Sequence, residues 1–80
     1  MNVTVQAYDE SFELVATAVF FITSHAAMCV TALQMATNIK TINVIDETHN
    51  QLTVYTRTSI CTPSGAGWKI LTTKFDKAKA

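Results

Sequence analysis

The stretch Leu14–Ile39, LVATAVFFITSHAAMCVTALQMATNI, contains no Asp, Glu, Lys or Arg, and its reading decides the fold. Glu13 closes it on one side and Lys40 on the other, with His25 near the middle. A run of this length either crosses a bilayer or supplies most of the core of a very small domain. About 20 apolar residues suffice to span the hydrocarbon, so the alternative is a small membrane protein with one span near residues 14–35. Against a span, Thr23-Ser24-His25 falls where polar groups cost most. The flanks carry little positive charge apart from Lys40, and the hydrophobic period changes at Ser24. The division into strand plus helix is therefore favoured over the membrane.

Before Ser24 the period is two. Phe12, Leu14, Ala16, Ala18, Phe20 and Ile22 are all apolar. Glu13, Val15, Thr17, Val19, Phe21 and Thr23 mix polar with β-branched and aromatic types. Such alternation predicts a strand over Phe12–Thr23, with one core face and one half-apolar face. After Ser24 the period is helical. Ser24 is a good N-cap, and Asn38 tolerates the left-handed backbone of a C-terminal cap. Ala26, Cys29, Val30, Leu33 and Ala36 share one stripe. Ala27, Thr31, Gln34 and Asn38 form a polar stripe, and Met28, Ala32 and Met35 a flanking apolar one.

Outside this run, Asn2–Tyr8 alternates and is joined to the next strand through Asp9-Glu10-Ser11, which predicts a hairpin. Ile39–Ile45 and Gln51–Ile60 read as two further strands around a polar turn. In the second, Leu52 and Val54 are expected inward, with Thr53, Tyr55 and Arg57 outward. The segment Thr62–Gly67 holds all the Gly and Pro of the chain and reads as a loop. Trp68–Phe75 is a last strand, and Asp76–Ala80 a polar, frayed end. The order is β-β-α-β-β-β. It predicts an α+β fold, a small antiparallel sheet with one helix packed on one face, in a single domain over residues 1–80.

An 80-residue chain hides only about 60% of the surface exposed when unfolded, so stability is marginal and a homodimer would add to it. The composition is 49% hydrophobic and 15% charged with zero net charge, which is a globular profile. Zero net charge argues against nucleic acid as a partner, because phosphate neutralisation needs surplus Lys and Arg. The charge is polarised: residues 1–39 carry acids only, and every Lys and Arg lies from Lys40 onward. Cys29 and Cys61 allow at most one bridge, and the first residues have no basic n-region. Both point to a reduced, cytoplasmic setting. The sequon Asn2-Val3-Thr4 then has no glycan to carry.

No constellation in the sequence carries chemistry. His25 and Cys29 share a helix face, and His49 with Cys61 would complete the ligand number of a zinc site, but the spacings match no finger pattern. Cys61 has no local base or orienting group to make it a nucleophile. Ser64-Gly65-Ala66-Gly67-Trp68-Lys69 lacks the order of a phosphate-binding loop and no helix follows it. The pairs Asp9-Glu10 and Asp46-Glu47 sit at expected turns, where solvation explains them. The expectation is a non-enzymatic protein with no catalytic residues, no cofactor and no metal. Tyr55 and Arg57, both of types enriched at hot spots, and the Met28–Met35 helix edge are the candidate partner-binding residues, toward another protein or a second copy.

The short, Thr-rich β-β-α-β-β-β organisation resembles small phage-encoded proteins that bind and inhibit host machinery, such as some anti-CRISPR proteins. The resemblance covers the whole chain at the level of size and element order and rests on no motif, so it transfers no functional residue. It implies a viral inhibitor or regulator that blocks a host protein by stoichiometric binding.

Overall fold

The computed structural model describes residues 2–58 and 67–75. The elements follow in the order β1 (Val3–Tyr8), β2 (Leu14–Phe20), α1 (Thr23–Gln34), β3 (Thr41–Asp46), β4 (Gln51–Arg57) and β5 (Trp68–Lys74). The strands form one antiparallel sheet in the order β2-β1-β3-β4-β5. The fold is α+β, with the helix on one face. The charge-free run is divided into β2 and α1, with the break at Phe21-Ile22, just ahead of the expected change at Ser24. Among the described residues no helix is long and apolar enough to cross a membrane.

The core lies between α1 and the middle of the sheet. Val3, Val5 and Ala7 of β1 point into it, with Ile42 of β3, Ile39 ahead of β3, and Ala26 and Val30 of α1. Ile42 is completely buried. The register aligns these positions across strands: Val5 opposes Val44, and Ala7 opposes Ile42. Because directly opposed residues share a face, the same face continues through Ala16, Ala18 and Phe20 of β2. It continues on the other side through Thr53, Tyr55, Ile70 and Thr72. The helix packs on β1 and β2. Its stripe Ala26, Cys29, Val30, Leu33 and Ala36 meets the core, as the helical spacing predicts.

Four expectations are corrected. Strand β4 is turned over: Tyr55 packs against the core, and Leu52 and Val54 lie on the opposite face. The register with β3 decides this, since Tyr55 opposes the buried Ile42, and a slip of one residue would reverse the whole strand. Hydrophobicity alone misleads here, because the Tyr55 ring covers apolar surface as well as an aliphatic chain does. Second, Ser24 is inside the helix. Ile22 holds the N-cap position with extended backbone, and no side chain caps the first turn. Third, Asn38 lies beyond the helix end. Met35 closes α1: its N–H donates to the Ala32 carbonyl, and the Ala36 N–H to the Leu33 carbonyl. Fourth, Phe12 belongs to the β1–β2 turn with φ 60°, outside the strand. The predicted loop up to Ala66, Cys61 and the end Asp76–Ala80 lie outside the described residues.

Candidate interaction surface

The face of the sheet away from α1 is built from three cross-strand rows. One runs Val19–Thr4–Ile45–Leu52–Thr73. The next runs Thr17–Gln6–Asn43–Val54–Leu71, and the last Leu14–Tyr8–Thr41–Thr56–Lys69. Lys69 is the one charged residue in these rows, and it sits at the rim. Five strands about 4.8 Å apart and some 20 Å long give this outer face an area of roughly 400 Å². No described element packs on it. Leu71 is 60% exposed and Val19 53% exposed. The rows mix Val, Ile, Leu and Tyr with Thr, Gln and Asn, so this is an amphipathic face that no described element covers.

Of the four candidate contact residues, Met28 and Met35 are 68% and 79% exposed. With Ala27, Thr31 and Ala32 they line a shallow apolar hollow on α1. Tyr55 and Arg57 sit elsewhere, on the helix side of the sheet. Tyr55 lines a groove of about 180 Å³ between α1 and strands β3 and β4, with Ala27, Val30, Val44 and Thr53 along its walls and Asp46 at its end. The Arg57 guanidinium is held inside the chain. Its Nε donates to the Ile39 carbonyl at 2.9 Å, and its Nη2 donates to the carbonyls of Ala36 at 2.7 Å and Gln34 at 3.3 Å. The guanidinium carbon stands 4.3 Å from the centroid of the Trp68 ring. Three of its five donors are thus engaged, on the last carbonyl of α1 and on two carbonyls of the connection to β3. The structure therefore brings Met28 and Met35 together, and it separates them from Tyr55 and Arg57.

Sequence reasoning missed the outer-face residues Ile45, Leu52, Val54 and Leu71. The signal was present, since the β-branched and aliphatic residues of β3 and β4 fall on both faces. Burial cannot tell which face is covered when both are apolar.

The carboxylates at the turns are structural. Asp9 Oδ1 accepts the backbone N–H of Ser11 at 2.9 Å and of Glu13 at 3.0 Å. Asp46 Oδ1 accepts those of Thr48 at 3.0 Å and His49 at 3.3 Å. The ionised carboxylate only accepts, so His49 Nδ1 carries the proton it donates to Asp46 Oδ2 at 2.8 Å. These bonds, the one from the His49 ring first, hold the Asp46 carboxyl below its ordinary range, against the opposing effect of burial. Both turns use one device, an Asp side chain that folds the following backbone onto itself. Among the described residues no three His, Cys, Asp or Glu side chains converge as metal ligands. His25 is exposed, whereas Cys29 is half-buried against the core.

Compared with protein-family models, curated proteins and solved structures, the chain matches none.

Proposed function

We propose that this chain is a non-enzymatic protein-interaction module that acts by stoichiometric binding to another protein. The outer sheet face carries the reading. It has one charge, at its rim, and carries the exposed Leu71 beside the half-buried Ile45, Leu52 and Val54, with no described element packed over them. The core of so small a chain is limited to a few aliphatic residues around Ile42. Leaving Val19, Leu71 and the aliphatic residues between them uncovered on the other face works against the stability of an isolated domain, and a partner offsets that cost. The exposed Met28 and Met35 offer adaptable apolar surface of the kind that suits protein targets. Within this reading, the small size and the β-β-α-β-β-β order support an inhibitor or regulator of the phage-encoded type, acting on a host protein in the cytoplasm.

The test is comparative capture from an extract of the native host, with the wild-type chain and Val54→Lys immobilised side by side. Val54 is chosen because its side chain lies mid-face and away from the core. A protein retained in near-equimolar amount by the wild type and lost from Val54→Lys supports the proposal. Equal retention by both chains, or a bound nucleotide or metal in place of a protein, overturns it.

A further inference from the structure

We infer that two copies of this chain associate through strand β2, edge to edge about a two-fold axis at Thr17, to form one continuous ten-stranded sheet. This contact is separate from the outer-face reading above, because it uses the rim of the sheet.

Three observations converge on it. The first is the contrast between the two rims. The sheet ends in β2 on one side and β5 on the other. Strand β5 carries Lys69 and Lys74, the usual protection of an open edge. Strand β2, LVATAVF, has no charge, no proline and no glycine over its whole length, and its residues are mostly exposed. Its single irregularity is the register shift that leaves Val15 unopposed near one end.

The second is the direction of the backbone groups. Glu47 donates its N–H to the Asn2 carbonyl at 3.1 Å, and the pair extends the β1–β3 register by one position. In an antiparallel ladder the bonded pairs alternate, so even residues of β1 bond to β3 and odd ones to β2. Val3, Val5 and Ala7 therefore pair with Phe20, Ala18 and Ala16. That leaves the N–H and C=O of Thr17 and Val19 directed at the open rim.

The third is the sequence of the strand itself. Around Thr17 it reads the same in both directions, Val15-Ala16-Thr17-Ala18-Val19, with Leu14 and Phe20 outside. In an antiparallel self-pairing, Thr17 meets Thr17 of the second copy, Ala16 meets Ala18, and Val15 meets Val19. Each of these pairs sets like against like, and the contact is isologous, the same patch of both copies meeting itself. The phase also agrees, because the free backbone groups of Thr17 fall on the two-fold axis. A second copy of this chain is thus a better fit to the rim than an unrelated strand. Strand pairing alone is small for a stable contact. Helix α1 lies over β1 and, to a lesser extent, β2, so the two helices stand on the same face of the joined sheet, one on each side of the axis.

The test begins with the mass of the purified chain in solution by sedimentation equilibrium, where a species of twice the 8.8 kDa chain is expected. Thr17→Pro removes an N–H that no described residue of the monomer uses, so the fold stays and the dissociation constant rises about tenfold or more. Thr72→Pro, on the other rim, leaves the constant unchanged if it folds. Amide hydrogen exchange decides independently of any variant. The Thr17 and Val19 amides gain protection as concentration rises, while those of Ala16 and Ala18 are protected throughout. A wild-type chain that stays monomeric at ~100 µM overturns the inference. So does fast exchange of Thr17 at every concentration, or a dimer that folded Thr17→Pro does not weaken.

Discussion

Arg57 and Trp68 face each other across the β4–β5 register, the guanidinium 4.3 Å from the ring centroid. The same guanidinium reaches the carbonyls of Gln34, Ala36 and Ile39, so one side chain joins the end of α1, the connection to β3 and the edge strand β5. The helix has a particular need of it. At 12 residues α1 is marginal by itself, and it has no side-chain N-cap, no acid in its first turn and no base in its last. Arg57 supplies from another strand the positive charge that favours a helix C-terminus.

Arg57→Ala is expected to destabilise the chain by about 2–3 kcal/mol, by loss of charge-assisted bonds to half-buried carbonyls and of the stem packed beside Trp68. Arg57→Lys recovers less than half of this, because an ammonium cannot serve three carbonyls and a ring face at once. Urea unfolding followed by Trp68 fluorescence gives both numbers. A change below about 0.5 kcal/mol for Arg57→Ala would show that the clamp contributes little.

Phe12 holds a left-handed backbone conformation, φ 60°, with its ring 74% exposed. The Cβ makes this conformation costly by about 1 kcal/mol, and exposure of the ring leaves little packing to compensate. Asn accepts left-handed geometry and fits the turn that Asp9 organises. Phe12→Asn should therefore raise stability by ~0.5 kcal/mol, seen as a higher melting temperature. A lower one would mean that the ring makes a contact worth more than the backbone strain.

Much of the architecture was legible in two devices of the sequence: the change of period at Ser24, and the strict alternation of Val3, Val5 and Ala7. Both are local signals of burial. The helix stripe from Ala26 to Ala36 followed from spacing alone. The orientation of β4 did not, because Leu52 and Val54 are more apolar than Tyr55 and Arg57, and only the partner strand fixes which pair turns inward. The place of Arg57 was hidden for the same reason. Its partners are carbonyls at the end of α1, and backbone acceptors leave no trace in side-chain pattern. The outer face stayed unread because its rows cross five strands and become visible only once the register is known.

Acid sensitivity is expected at the β3–β4 turn. The Asp46 carboxyl lies below its ordinary value of 3.8 because the His49 ring and the turn amides bond to its ionised form. A group with a lowered folded pKa stabilises fully above its unfolded value and loses that contribution as pH falls through the folded one. Wild type should therefore lose its advantage over Asp46→Asn as pH drops below about 4 and keep it from pH 5 upward. Thermal melts of both chains from pH 2 to 7 measure the gap. A gap independent of pH would assign the effect of the substitution to turn shape, with no part for the charge.

The methionine flank of α1 is expected to be neutral for folding. Met28 and Met35 are 68% and 79% exposed, so polar replacement removes little buried area. Gln keeps the length, the unbranched stem and a comparable helix propensity. The double variant Met28→Gln, Met35→Gln should then melt within about 0.5 kcal/mol of wild type. This neutrality is what makes the pair informative, because any loss of partner capture by the double variant reports on the surface and leaves the fold out of account. A loss of more than about 1 kcal/mol would place the two side chains in contacts that support the monomer.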